Sequence, residues 1–378
     1  MKQEYLTKSD FLIAQSCPTK LYYKKNKYPN IKEFDDYLQL LAEGGYIVLK
    51  MAQLLHPDGV NVESLNVEVA IEKTKEHLKA ENIILFEPTF FSKDKLIRAD
   101  ILIKNGNKID LIEVKAKSYN SNEGKSPFVK KKKKDWEPYL LDTAFQVYVI
   151  NELHPEFEIT PYLMLPDKTE RTNIEGLASW FRIKESKENK HFEVEFTGNL
   201  DELRKETILT KINIKDEVEN LIPTFKDNLS IFIDSVLNNT KIQSQLTKGC
   251  RECEYRTNHV DRDGFKECWN GLADVHPHIF DLYHMGVLGN NKLVNELISQ
   301  GKVSMYDVPN EKLTGELRGK RQKIQVENTR LNKEWVSEDL KSELQGFKYP
   351  LYFIDFETCH PAIPLHKGMR PYEKISFQ

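Results

Sequence analysis

The chain has 378 residues, 39% of them hydrophobic and 30% charged. At roughly 100–200 residues per domain, this length suits two or three domains with buried cores. Lys and Arg number 55 against 58 Asp and Glu, a formal net charge of −3, which excludes a histone-like polycation but leaves room for a local basic surface. No run approaches the roughly 18 consecutive apolar residues of a membrane span, and the opening MKQEYLTKSD has no signal-peptide apolar core. A soluble, cytoplasmic protein without a membrane partner is therefore expected. Cys17, Cys250, Cys253, Cys268 and Cys359 are an odd number of cysteines, which argues against a disulfide framework and leaves metal ligation or inert burial.

In chain order, residues 1–56 read as helical. Ser9 and Asp10 are a capping pair, and an apolar-periodic stretch follows, interrupted at Gly44 and Gly45. From about 60 to 115 the texture changes to short β-branched runs with one helix, KEHLKA, among them. The polar stretch 118–138 holds five lysines at 130–134. DTAFQVYVINEL reads as an apolar helix and PYLMLP as a strand, and 199–246 as amphipathic helix. Residues 276–345 are charged and mostly helical, and PLYFIDFET is a further strand. This order predicts an α/β class, with one domain over 1–275, a helical linker over 276–345 and the start of another domain over 346–378.

The most informative segment is LIRADILIKNGNKIDLIEVKAK. Asn105-Gly106 between two β-branched runs predicts a tight hairpin. With those two residues as the loop, Asp100 lies opposite Leu111, and Glu113 is its diagonal neighbour at about 7–8 Å on the same face. Lys115 shares that face with apolar neighbours, among which bare carboxylates need a partner such as a cation. The other face collects Ile97, Ala99, Ile101, Ile103, Ile112 and Val114 for packing against helices. Oxygen ligands of this kind suit Mg²⁺ or Mn²⁺, and a neighbouring lysine suits orienting or deprotonating a water or stabilising charge on phosphorus.

An Asp followed, after a turn, by Glu113-Val114-Lys115 resembles the PD-(D/E)XK nuclease superfamily, and the Gln146 of DTAFQVYVI resembles its RecB-like members. The resemblance implies a restriction-endonuclease-like core, a mixed sheet flanked by helices. It also implies a metal-dependent deoxyribonuclease acting on single-stranded or end-bearing DNA, with partners in DNA repair or defence. Asp100 and Glu113 would hold the metal, Lys115 would assist the water, and Gln146 would organise the site or contact DNA. Two positions depart from the family pattern. Tyr148 follows Gln146 by two residues instead of the usual four. Val48 or Leu49 stands where an early helix often carries a histidine, with Glu43 a possible substitute ligand.

The spacing Cys250-x2-Cys253-x14-Cys268, with Cys17 far upstream, resembles the iron–sulfur RecB-like nucleases, the AddB subunit and CRISPR-associated RecB-type exonucleases among them. The resemblance implies a structural [4Fe–4S] cluster on Cys17, Cys250, Cys253 and Cys268. The alternative is a structural Zn²⁺ on the same cysteines, with His259 as a further candidate ligand.

The lysines of KSPFVKKKKKDWEPY would neutralise phosphates, and Trp136 or Tyr139 would stack on an unpaired base; a solvated loop accounts for the same run equally well. YFIDFETCHPAIP resembles the first motif of DnaQ-like (DEDD) exonucleases, whose domain is RNase H-like, with Asp355 and Glu357 on a strand. The ending RPYEKISFQ resembles a large uncharacterised bacterial family that joins a RecB-like half to such a segment. The expectation is thus a DNA nuclease. Its alternative is a catalytically silent nucleic-acid-binding or scaffold subunit that keeps the fold and the cluster.

Overall fold

The computed structural model describes residues 4–34, 36–125, 128, 133–185, 192–257, 259 and 261–377. Two units emerge, one comprising residues 1–21, 35–241 and 356–378, the other residues 22–34 and 242–355.

The first unit is mixed α/β. Its strands in chain order are β1 (Leu6–Thr7), β2 (Gly59–Asn61), β3 (Asn82–Phe86), β4 (Thr89–Ser92), β5 (Lys95–Arg98), β6 (Ile101–Asn105), β7 (Lys108–Val114), β8 (Glu158–Pro166), β9 (Phe181–Glu185), β10 (Phe192–Phe196), β11 (Leu209–Asn213), β12 (Thr358–Cys359) and β13 (Ile375–Ser376). A six-stranded sheet runs in the order β11-β8-β7-β6-β3-β2, and a second, three-stranded sheet runs β1-β5-β4. In the larger sheet β7–β8 and β2–β3 are parallel and the other pairs antiparallel.

The hairpin forms, with its register moved. Asn105 pairs with Lys108 and Leu102 with Leu111, so Gly106 and Asn107 make the loop. Gly106 has φ +59°, which suits a turn whose first central residue must be left-handed. This register extrapolates to Asp100 directly opposite Glu113. The shift moves partners by two positions, so every side chain keeps its predicted face.

Helices cover both faces. Helix α1 spans Lys8–Ser16, α2 Asp36–Leu54, α3 Val67–His77, α4 Lys133–Leu153 and α5 Lys215–Phe225. The cap of α1 is Thr7, not Ser9: its hydroxyl accepts from Asp10 N and the Asp10 carboxylate accepts from Thr7 N, both at 3.1 Å, a reciprocal capping box. Helix α2 runs through Gly44 and Gly45 without a break, because neighbouring strong helix formers carry the cost of about 1 kcal/mol per glycine. From α2, Val48, Met51 and Ala52 pack onto Ile101, Ile112, Val114 and Met164. On α1, Phe11 stacks on Phe145 of α4 at 4.4 Å and meets Phe225 of α5 edge-on at 4.9 Å. Full burial of such a ring contributes about 1.5–3 kcal/mol.

Three sequence readings change. Residues 209–213 within the expected 199–246 helix form edge strand β11, their register set by five pairs with β8. The Trp136 ring is buried against Phe128, 5.1 Å away and perpendicular, so it is unavailable for base stacking. Residues 351–357 form no strand, and Tyr352, Phe353 and Ile354 are exposed; strand pairing is confined to Thr358–Cys359, which meets Ile375–Ser376. Farther on, Ile363 enters the first unit's core, and Leu365 O accepts from Gly176 N at 3.1 Å.

The second unit is built of short helices and 3-10 turns around its own core. Helix α6 (Gly264–Trp269), α7 (Leu293–Ser299) and α8 (Glu316–Leu331) enclose Phe265, Trp269, Ile279, Phe280, Val294, Leu297 and Val326. Residues 276–331, charged overall in sequence, therefore contribute a packed apolar interior. Gly264 is required where it sits: a Cβ there would come within 2.9 Å of both Tyr23 and Tyr255.

An alanine Cβ at Gly59 would lie 1.9 Å from the Phe86 ring. Gly59→Ala is expected to cost about 1–3 kcal/mol through displacement of that core ring. Phe86→Leu in the same chain should recover most of the loss, as read from denaturant midpoints.

Candidate active site

Strand β5 of the small sheet leads into β6 of the large one through a bend at Ala99-Asp100. The bend is held by Ala99 N donating to Pro88 O at 3.0 Å and Glu87 N donating to Asp100 O at 3.1 Å. It turns the Asp100 carboxylate onto the end of β7, where Oδ2 accepts from Val114 N at 2.7 Å. Glu113 lies on β7 itself and is 1% exposed.

Helix α4 delivers the remaining groups. Asp142 and Gln146 are four residues apart and share one helix face. Gln146 Nε2 donates to Glu113 Oε2 at 2.7 Å and to Asp142 Oδ1 at 3.2 Å. Gln146 is fully buried, so it holds carboxylates in place and is out of reach of a bound strand. Lys115 donates to Glu113 Oε1 at 2.5 Å and to Asp142 Oδ2 at 2.8 Å. The four predicted residues, Asp100, Glu113, Lys115 and Gln146, are thus brought together. Tyr148, two residues beyond Gln146, falls on a different face of α4 and hydrogen-bonds Glu152 instead.

Three further residues were not foreseen. Lys8, the first residue of α1, reaches Glu113 Oε1 at 3.0 Å and Asp142 Oδ1 at 3.5 Å. The reason is helical geometry: Lys8 precedes Phe11 by three residues, Asp142 precedes Phe145 by three, and the stacked rings align the two turns. Asp142 had a sequence signal, its i,i+4 relation to Gln146; Lys8 had none at short range. Glu87 is the third. It adopts the left-handed conformation at φ +58°, a costly one for a non-glycine residue, and together with Asp100 it lines a cavity of about 650 Å³. Tyr46, Leu49 and Lys50 of α2, Arg98, and Phe192 of β10 also form its walls, with the Tyr46 and Phe192 rings 5.5 Å apart. Glu43 instead pairs with Gln39 on its own helix at 3.3 Å, and Val48 is consumed by the core.

Electrostatics follows from burial. Burial, opposed by its two lysine neighbours, acts on Glu113, and Lys115 and Lys8 prevail, holding its carboxyl well below the usual range. Burial, then the charge of Glu113, pushes Asp100 up to about 7, and burial with the charge of Asp100 pushes Glu87 up to about 8. Asp142 is raised by burial and by Glu113. Burial works against both ammonium groups, yet Glu113 and Asp142 outweigh it and keep Lys8 and Lys115 firmly protonated. Four carboxyl groups face the Lys8 and Lys115 ammonium groups, with the Arg98 guanidinium also acting on Glu87, so acidic groups outnumber basic ones. The raised carboxyls of Asp100 and Glu87 hold protons that a cation would displace. Gln146 Oε1, buried without a donor among the described residues, adds one more unsatisfied acceptor. Hard oxygen donors in excess of basic groups fit a divalent cation that keeps several waters. Among the described residues no group of three or more His, Cys, Asp or Glu side chains is placed to hold a metal ion; a cation here would have only Asp100 and Glu113 as protein side-chain ligands, with water or substrate oxygens supplying the rest.

The cysteines divide between the units. Cys17 ends α1 in the first, its N–H donating to Ile13 O at 3.0 Å. In the second, Cys250 and Cys253 lie on one turn, with Cys253 N donating to Cys250 O at 3.2 Å. Cys268 on α6 lies 3.1 Å from the Tyr23 hydroxyl, and burial together with that contact raises the Tyr23 pKa. His259 is exposed. Lysines 130–132 lie outside the described residues, and Asp355 and Glu357 are exposed.

Raised carboxyl values bind more protons in the folded than in the unfolded chain between about pH 4 and pH 8, so stability falls as pH rises through that window. The cation-free protein should accordingly melt at a lower temperature at pH 8 than at pH 5.5, and Asp100→Asn should flatten the slope, as measured by calorimetric scans. Glu113, whose value is depressed, acts oppositely but only below about pH 4.5.

No helix among the described residues is long and apolar enough to cross a membrane. A family model, a domain of unknown function (DUF2779), matches residues 352–378 of the chain. No curated protein and no solved structure matches it.

Proposed function

We propose that the chain is a divalent-cation-dependent nuclease of the RecB-like PD-(D/E)XK type that hydrolyses DNA phosphodiester bonds. The observation that carries this reading is the convergence of Asp100, Glu113, Lys115 and Gln146 in one cluster, buried at Glu113 and Gln146 and half-buried at Asp100 and Lys115, beside an open cavity. A substrate entering that cavity would meet the Tyr46 and Phe192 rings, suited to stacking on bases, and the cationic Lys50 near phosphates, while Arg98 is paired with Glu63 at 3.5 Å. Single-stranded or end-bearing DNA, in repair or defence, is the substrate that the family resemblance implies.

Asp100 and Glu113 would hold Mg²⁺ or Mn²⁺, which supplies a Lewis acid at the phosphate and a more acidic water. The chain's own residues do the positioning. Lys115 is kept as an ammonium, so it acts as a donor toward water or the developing phosphorane charge and does not serve as a base. Gln146 fixes the rotamer of Glu113 through its 2.7 Å hydrogen bond. Val114 N, donating to Asp100 at 2.7 Å, fixes the other carboxylate. The bend and β7 are rigid supports, as a site of this kind requires.

The same reading includes a structural [4Fe–4S] cluster on Cys17, Cys250, Cys253 and Cys268, with Zn²⁺ as the alternative occupant. Thiolates are the ligands both prefer. Support comes from Cys250 and Cys253 sharing one turn, with Cys268 in the same unit.

A second reading, a catalytically silent nucleic-acid-binding or scaffold subunit, is favoured by Val48 and Leu49 standing where a histidine ligand would be. Cleavage of end-labelled single-stranded DNA with Mn²⁺ separates the two. Wild type should cut, and Glu113→Gln should cut at least about 10²-fold more slowly, because a metal contributes several kcal/mol to the transition state. Equal cutting by both would remove the site assignment; no cutting by wild type would favour the silent subunit. For the cluster, purified protein should show broad absorbance near about 400 nm that Cys253→Ser abolishes. Colourless protein containing stoichiometric zinc would decide for the alternative.

A further inference from the structure

Two ammonium groups crowd one carboxylate oxygen. Glu113 Oε1 takes Lys115 at 2.5 Å and Lys8 at 3.0 Å, while Oε2 takes Gln146. Asp142 offers a second acceptor to the same three donors, at 2.8 Å from Lys115, 3.5 Å from Lys8 and 3.2 Å from Gln146. Neither Lys8 nor Asp142 belongs to the Asp…(D/E)-x-K pattern. They come from two helices locked together by Phe11 and Phe145.

Buried carboxylates need a counter-charge at all times. Without a bound cation, Lys8 and Lys115 provide it for Glu113. A cation taking Glu113 must displace them, and a displaced ammonium at this depth is costly unless another carboxylate is within reach. Asp142 is that carboxylate, already in contact with both. We propose that Lys8 and Asp142 form an exchange pair that sets the affinity of the site for a divalent cation: Lys8 competes for Glu113, and Asp142 receives the lysines when Glu113 turns to the ion. This inference rests on the nuclease reading of the same carboxylates. Lys8 and Asp142 act through Glu113 and are positioning residues. A purely structural pair, pinning α1 to α4, would alter stability and leave cation affinity untouched.

The test is a Mn²⁺ titration of the full chain followed by electron paramagnetic resonance at pH 7.5, without DNA, so that the readout is independent of cutting. Lys8→Met, which keeps the stem and removes the competing charge, should bind Mn²⁺ about tenfold more tightly. Lys8→Arg should stay near wild type. Asp142→Asn should bind about tenfold more weakly, since the lysines then have only Glu113. Circular dichroism confirms folding of each variant. Lys8→Gln serves as a second neutral variant should Lys8→Met not fold, and Asp142→Ser likewise for Asp142→Asn. Unchanged affinity in the neutral variants, or shifts of the opposite sign, would overturn the exchange pair while leaving the nuclease reading intact. No Mn²⁺ binding by wild type would overturn both.

Discussion

Everything at the site depends on keeping negative charge inside a protein. Glu113 is almost wholly inaccessible and remains a carboxylate because Lys115, Lys8 and Gln146 all donate to it. An isolated buried carboxylate would take up a proton instead. Asp100 and Glu87 show the limit of that compensation: burial, joined by the charge of Glu113 for Asp100 and of Asp100 for Glu87, drives them upward, to about 7 and about 8. A cluster with more acidic than basic groups and a cavity at its edge is the observation on which the proposed cation site rests.

The scaffold explains why these groups meet. Strand β7 lies within the six-stranded sheet and pairs on both sides, with β6 and with β8, so Glu113 has little freedom. The bend at Ala99-Asp100 arises because the chain passes from one sheet to the other there. That passage removes Asp100 from the regular ladder and frees its carboxylate to accept from Val114 N. The left-handed Glu87 faces the same bend across a backbone hydrogen bond. Local strain and site geometry coincide at this point, as expected where a backbone must present a functional group.

The second unit follows different physics. Its short helices and 3-10 turns have little periodicity of their own, and its interior is assembled from single apolar residues spread across Phe265–Val326. Hydropathy averaged over a window sees mainly the charged residues between them. A core built one residue per turn leaves almost no pattern along the chain, so this segment reads as a connection until it is folded.

What could be read from residue order alone was whatever depends on neighbours in the chain. The Asn-Gly turn, the period-two alternation around it, the shared face of Asp100, Glu113 and Lys115, and the apolar helix bearing Gln146 all belong to that class. Alternation fixes faces even when the turn shifts by a residue, and for that reason the hairpin reading survived a change of register. The presence of Lys8, the edge strand at 209–213 and the burial of Trp136 were decided only in three dimensions, whereas the cap at Thr7 in place of Ser9 rests on Asp10 three residues on. Each of those three depends on a partner outside its own element: Lys8 on Glu113 and Asp142 through the stacked rings of Phe11 and Phe145, β11 on β8, and Trp136 on Phe128 and Tyr119. A side chain's period along the chain says which way it points, but only packing says what it meets.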